Sequence, residues 1–164
     1  MGDVVKVDWG NTNLTKAAYE ENGKYLGVSA AGCDGRMSNF EHDVGVSVLS
    51  AIGANCGRVF YPDEKFTAIK NTITFTPNRT VVVPKYLFFV MRNNQLPQRG
   101  GAQPFMAKAD VESYIIPLPS IDDQKRIVAK LEAEQEIIDT NKRLIDLMQE
   151  KINQVIKRIY RCNM

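Results

Sequence analysis

The sequence predicts an α+β protein: a mixed, strand-rich domain over residues 1–119, then one long helix over residues 120–160. Three observations predict it. Before Pro119, short runs of β-branched and aromatic residues alternate with Gly, Asn, Asp and Pro turn signals. After Pro119, neither Gly nor Pro occurs again. In that second part, apolar residues return at heptad spacing. With 164 residues and 44% hydrophobic content, the chain can bury one core and carry one added element. A charged fraction of 24% excludes the disordered and low-complexity classes. No apolar run approaches the roughly 18 residues of a membrane span. The start, MGDVVKVDWG, lacks a basic stretch ahead of an apolar one. The expectation is a cytoplasmic protein with no membrane partner.

Strands are expected at residues 4–7, 25–28, 44–49, 58–61 and 72–76, with a further short one at 81–83. Turn signals separate them: Glu21-Asn22-Gly23, Cys33-Asp34-Gly35, Gly53-Ala54-Asn55, Tyr61-Pro62-Asp63 and Pro77-Asn78. Pro84 suits the first turn of a helix, so residues 84–93, with Tyr86, Leu87, Phe88, Phe89, Val90 and Met91, read as a short buried helix. Residues 110–113 allow a second, very short one. Ile115-Ile116-Pro117-Leu118-Pro119 is extended, because each proline removes an amide donor and restrains its predecessor. Ser120 is the N-cap of the long helix, with Asp122 and Asp123 in its first turn facing the positive end of the dipole. About 40 residues of helix extend ~60 Å, beyond the ~35–40 Å of a domain of this size, so a packing partner is expected.

The heptad places Leu131, Ile138, Ile145, Ile152 and Ile159 at a, and Ile127, Glu134, Asn141, Met148 and Val155 at d. Only Glu134 and Asn141 break the apolar seam, and polar seam residues fix register and partner choice. Val128, Ile137, Leu144, Leu147 and Ile156 widen the apolar face, which packs either on the chain's own domain or on a second protein.

The net charge of +2 is uninformative, but its distribution is not. Residues 1–43 carry 4 basic and 7 acidic side chains; residues 44–108 carry 8 and 2; residues 121–160 carry 8 of each. Catalytic constellations fail. His42 is the single histidine, flanked by Glu41 and Asp43 in a polar stretch, and reads as a solvated surface residue. Gly53-Ala54-Asn55-Cys56-Gly57 is glycine-rich but matches no phosphate loop. Cys33, Cys56 and Cys162 are isolated, which argues against both disulfides and a zinc site. No metal and no cofactor is expected in this chain. What remains is binding: mid-chain Arg and Lys suit phosphates, and the interspersed Asn and Gln suit base edges.

Three stretches then carry a family resemblance. They are Gly101-Ala102-Gln103-Pro104, Ile116-Pro117-Leu118-Pro119 and Asp123-Gln124-Lys125-Arg126-Ile127. In this order they resemble the end of a target-recognition domain from a type I restriction–modification DNA specificity subunit. The run from Val46 to Val59 resembles the family's strand–glycine–strand element, and Val83-Pro84-Lys85-Tyr86-Leu87 its P-x-Y-L helix. The resemblance implies a domain that contacts a short, defined sequence of double-stranded DNA. It also implies a helix that serves as spacer and dimer-like arm and binds methyltransferase subunits. Catalysis would lie with the partners: adenine methylation on a methyltransferase carrying S-adenosylmethionine, cleavage on a restriction subunit. Usual members have two domains and two antiparallel helices; this chain has one of each. A natural half that dimerises or pairs with a second specificity half, an excised half, and the recognition tail of a fused methyltransferase all stay open. A symmetric homodimer implies a palindromic, interrupted site.

The family places its base contacts by no fixed motif, so the candidates are physical. Ser29, Asp34, Arg36, Ser38 and Asn39 lie in a loop expected over residues 29–39; Asn55, Arg58, Lys70 and Asn71 flank turns in the basic region; Arg99 precedes the Gly100-Gly101 turn. Gln103-Pro104 reads as turn-forming. The competing class is a protein-interaction adaptor with a coiled-coil arm and no DNA contact.

Overall fold

Burial along the strands sets the layers. In the computed structural model, residues 1–93 and 96–162 are described, apart from the side chains of Ile159, Arg161 and Cys162. The strands are β1 (Val5–Trp9), β2 (Tyr25–Ser29), β3 (Gly32–Met37), β4 (Ser47–Ser50), β5 (Val59–Phe60), β6 (Phe66–Ala68) and β7 (Thr72–Pro77). The helices are α1 (Pro84–Arg92), α2 (Lys108–Ser113) and α3 (Ile121–Cys162), and a 3₁₀ turn spans Lys16–Ala18. A four-stranded antiparallel sheet runs β1-β7-β4-β5, and a three-stranded sheet runs β3-β2-β6 with β2 and β6 parallel. Every residue of β4 is buried. Leu49 joins Val5, Val7, Ile73, Phe75, Leu87 and Met91 in one core, whereas Val48 joins Val28, Phe66 and Ala68 in another. Alternate side chains of one strand therefore serve two faces, and the larger sheet lies between α1 and the smaller sheet.

Several expectations are corrected. Residues 81–83 form no strand: Val82 is fully buried, and Val83 is the N-cap of α1. Asp34 and its neighbours are not a turn. They lie in β3, and the hairpin turn falls at Ala30 and Ala31. The glycines of this hairpin explain the misreading. Gly27 and Gly35 are cross-strand partners, and the Tyr19 ring lies over both. A Cβ at Gly35 would sit 2.1 Å from that ring, and one at Gly27 2.5 Å. Apolar cover missing from β3 itself is thus supplied by a residue just after the 3₁₀ turn. β6, three residues long, was also not expected. His42 is half-buried rather than solvated: it pairs with Phe66 through the backbone and its ring lies 5.0 Å from the Phe66 ring. Burial lowers its pKa, outweighing the opposing pull of Glu41 and Asp8.

Ser120 caps α3 as expected: the Asp123 amide donates to its Oγ at 3.2 Å, and Oγ donates to the Asp123 carboxylate at 2.7 Å. Gln124 is fully buried. Its Oε1 accepts from the Val83 amide at 2.8 Å, and its Nε2 donates to the Val81 and Pro119 carbonyls, both at 2.9 Å. Tyr86 Oη donates to the Pro117 carbonyl at 3.0 Å, holding the extended 115–119 segment. The compact unit, Met1–Lys125, consequently takes in the first turn of α3; the second unit is Arg126–Met164. α3 is a continuous helix of 42 residues. No described helix is long and apolar enough to cross a membrane. Cys33 and Cys56 are free thiols, whereas the Cys162 side chain lies outside the described residues.

Candidate nucleic-acid interface

Topology gathers three turns at one end of the two sheets. β2 and β6 are parallel, so both finish there, and the Ser50–Thr72 pairing brings the end of β4 to the start of β7. The Ala30-Ala31 hairpin turn, the 51–58 loop and the Lys70-Asn71 turn converge around a cleft of about 330 Å³, lined in part by Lys16, Ser29, Asn55, Lys70 and Asn71. Asn71 has φ 71°, a left-handed conformation that Asn tolerates better than most side chains. Its carbonyl accepts from the Ala51 amide at 2.9 Å, which ties the turn to the 51–58 loop.

Arg58 stands at the rim. Its Nη1 donates to Asn55 Oδ1 at 3.0 Å, and its guanidinium lies 6.0 Å from the Phe60 ring centre. Among the described residues, neither Arg58 nor Lys70 has a carboxylate within ion-pair distance. Beyond Arg58 a broader groove of about 670 Å³ is lined by Phe60, Tyr61, Phe88 and Arg92, among others. The Tyr61 and Phe88 ring centres are 5.3 Å apart, and the Arg92 guanidinium lies 5.8 Å from Phe88.

The ten sequence candidates divide on this geometry. Ser29, Asn55, Arg58, Lys70 and Asn71 come together at the turn end. Ser29 is nevertheless buried, donating to Asp34 and accepting from the Ala31 amide. Asp34 is a structural acceptor for Lys16, Tyr19 and Ser29. Burial alone would raise its pKa, but those three hydrogen bonds outweigh it and the net shift is downward. Arg36 pairs with Glu64 at 2.8 Å, Ser38 donates to Glu20, and Arg99 pairs with Asp110 at 2.6 Å. Asn39 lies past β3, away from the hairpin turn, where its carbonyl accepts from Thr67. Gln103 and Pro104 do lie in a turn, which closes through the Arg99–Phe105 bridge. Lys16, Phe60, Tyr61, Phe88 and Arg92 were missed. Phe88 and Arg92 had a readable signal: a ring and a cation four apart on a helix share a face.

On α3, Ile127, Ile138, Ile145, Met148, Ile152 and Val155 are exposed in the single chain, Ile145 by 66%. Leu131 is half-buried and Asn141 exposed. The Ile159 side chain lies outside the described residues. No group of three potential metal ligands occurs among the described residues.

Fold and surface define a class: a two-sheet α+β domain continuous with a long amphipathic helix. Residues 1–158 match the family described as the type I restriction modification DNA specificity domain. The chain belongs to that family. It is 23% identical to the type I restriction enzyme EcoDI specificity subunit of Escherichia coli over 162 residues, covering 96% of this chain and 34% of that subunit. The crystal structure of the S subunit of a type I restriction–modification system from M. genitalium aligns with a TM-score of 0.71 at 19% identity, over 85% of this chain and 38% of that one. A chain from a structural study of complex assembly and conformational transition of the type I R-M system aligns with a TM-score of 0.72 at 17% identity, over 94% of this chain and 42% of that one. The chain thus spans about a third of the curated relative and about two fifths of the solved ones.

Proposed function

We propose that this chain is the DNA-reading half of a type I restriction–modification specificity subunit. It places a partner adenine methyltransferase, which carries S-adenosylmethionine, and a restriction subunit on a defined duplex sequence, and it performs no chemistry itself. The observation that carries this reading is the turn end of the two sheets. There, Arg58 and Lys70 lack carboxylate partners among the described residues and stand beside two asparagines and an aromatic groove. Cations hold phosphates, and amides read base edges. The apolar stripe on α3 supports pairing with a second specificity half, supplied by another copy or another chain.

The test is binding of randomised duplex DNA by the full chain produced together with its methyltransferase subunit, measured across a salt series. Replacing both Arg58 and Lys70 by Ala is expected to weaken binding evenly across sequences and to reduce the salt slope by about two. A salt-insensitive complex that selects no sequence would refute the proposal and favour the adaptor.

A further inference from the structure

We infer that the cleft between the Ala30-Ala31 and Lys70-Asn71 turns reads an A·T base pair from its major-groove edge, with Asn71 bonding the adenine. This rests on the proposed DNA-reading function and adds to it the identity of one base pair. Among the polar side chains lining the cleft, several are already engaged inside the domain: Ser29 with Asp34, Lys16 with Asp34, and Asn55 with Arg58. The Asn71 amide makes no hydrogen bond among the described residues, while its backbone is fixed by the bond from Ala51 and the left-handed turn. The result is a rigid mount carrying an unspent donor and acceptor side by side. Adenine offers the matching pair, N6–H and N7, whereas guanine offers two acceptors there.

The remaining lining agrees. Ala30, Ala31, Ala54 and Ile52 give the cleft small apolar walls, and no carboxylate lines it. Apolar walls suit the C5-methyl of thymine, which only the major groove presents. A cytosine N4 donor would find no carboxylate acceptor. Lys70 and Arg58, at the rim, are placed for the flanking phosphates.

The experiment selects randomised duplex DNA with the full chain bound to its methyltransferase subunit, comparing the unaltered protein with Asn71→Gly and Asn71→Asp. Gly fits the left-handed turn, so the fold is retained and an unchanged urea midpoint verifies it. Asn71→Gly is expected to relax one A·T position by about 5- to 150-fold and leave the others intact. Asn71→Asp is expected to shift that position from adenine towards cytosine. Replacing that adenine by 7-deazaadenine should weaken the unaltered protein but not Asn71→Gly, and replacing its thymine by uracil should weaken both. Retention of the full preference by Asn71→Gly, or an even loss across all positions, would overturn the inference and leave the DNA-reading function standing. No preference in the unaltered protein would overturn both.

Discussion

Replacing Gln124 by Met tests how the long helix is anchored. The two side chains are close in volume, so the change removes three hydrogen bonds without opening a large cavity. It strands the Val83 amide and the Val81 and Pro119 carbonyls, each now within 2.9 Å of a Gln124 amide atom. At a net contribution of about 1 kcal/mol per bond, the expected loss is about 3 kcal/mol. Gln124→Ala adds a cavity and should cost about 1 kcal/mol more. With a urea slope of about 2 kcal/mol per molar, the midpoint of Gln124→Met should fall by about 1.5 M. Trp9, the single tryptophan, lies in β1 and reports unfolding of the compact unit by fluorescence. A midpoint within about 0.3 M of the unaltered chain would show that water replaces Gln124 at no cost and that the anchor is packing alone.

Tyr19→Phe should cost about 1 kcal/mol through the lost bond to Asp34, and Tyr19→Ala about 2–3 kcal/mol by also uncovering Gly27 and Gly35; urea unfolding separates the two. The Asp34 carboxyl titrates below its unfolded value, so its contribution is complete above about pH 4 and is lost as pH falls through the folded pKa; Asp34→Asn should flatten that part of the acid-unfolding curve. Burial holds the His42 pKa below its ordinary value, so on acidification the unfolded chain takes up the proton first. Stability should decline as pH falls below about 6.5, and His42→Gln should remove that slope in thermal melts across pH. Asn141→Leu should strengthen association through α3 while loosening register, read by the mass in solution; unchanged association and pairing would count against the assigned seam.

Patterns within a few residues were legible in the sequence, and contacts across the chain were not. Pro84, Ser120 and the glycine-free stretch marked the helices because caps and breakers act locally. β1, β2 and β7 showed because their β-branched and aromatic residues sit close together in sequence. β3 did not, since Gly-Cys-Asp-Gly-Arg-Met depends on Tyr19 for its apolar cover. For the candidate site, residue type singled out Asn55, Arg58, Lys70 and Asn71, and antiparallel pairing of β4 with β7, with the Ala51–Asn71 bond, made them neighbours. Arg36, Ser38 and Arg99 looked equally available, but their carboxylate partners lie 28, 18 and 11 residues away in sequence. Only the folded chain reveals such pairs.

The nitrogen of Met1 donates to the carbonyls of Glu112 and Tyr114 at 3.1 and 2.8 Å, and the Gly2 amide donates to Glu112 again. The first residues are thereby stitched to the end of α2, just ahead of the extended 115–119 segment. Residues 1 and 114 are held side by side, and a segment held in that way can be exchanged for another of different surface chemistry without displacing its surroundings. On the proposed DNA-reading function, this geometry makes sequence preference a transferable part. Grafting residues 1–119 onto the helix of a relative should carry the preference with it and leave the assembly of the recipient unchanged.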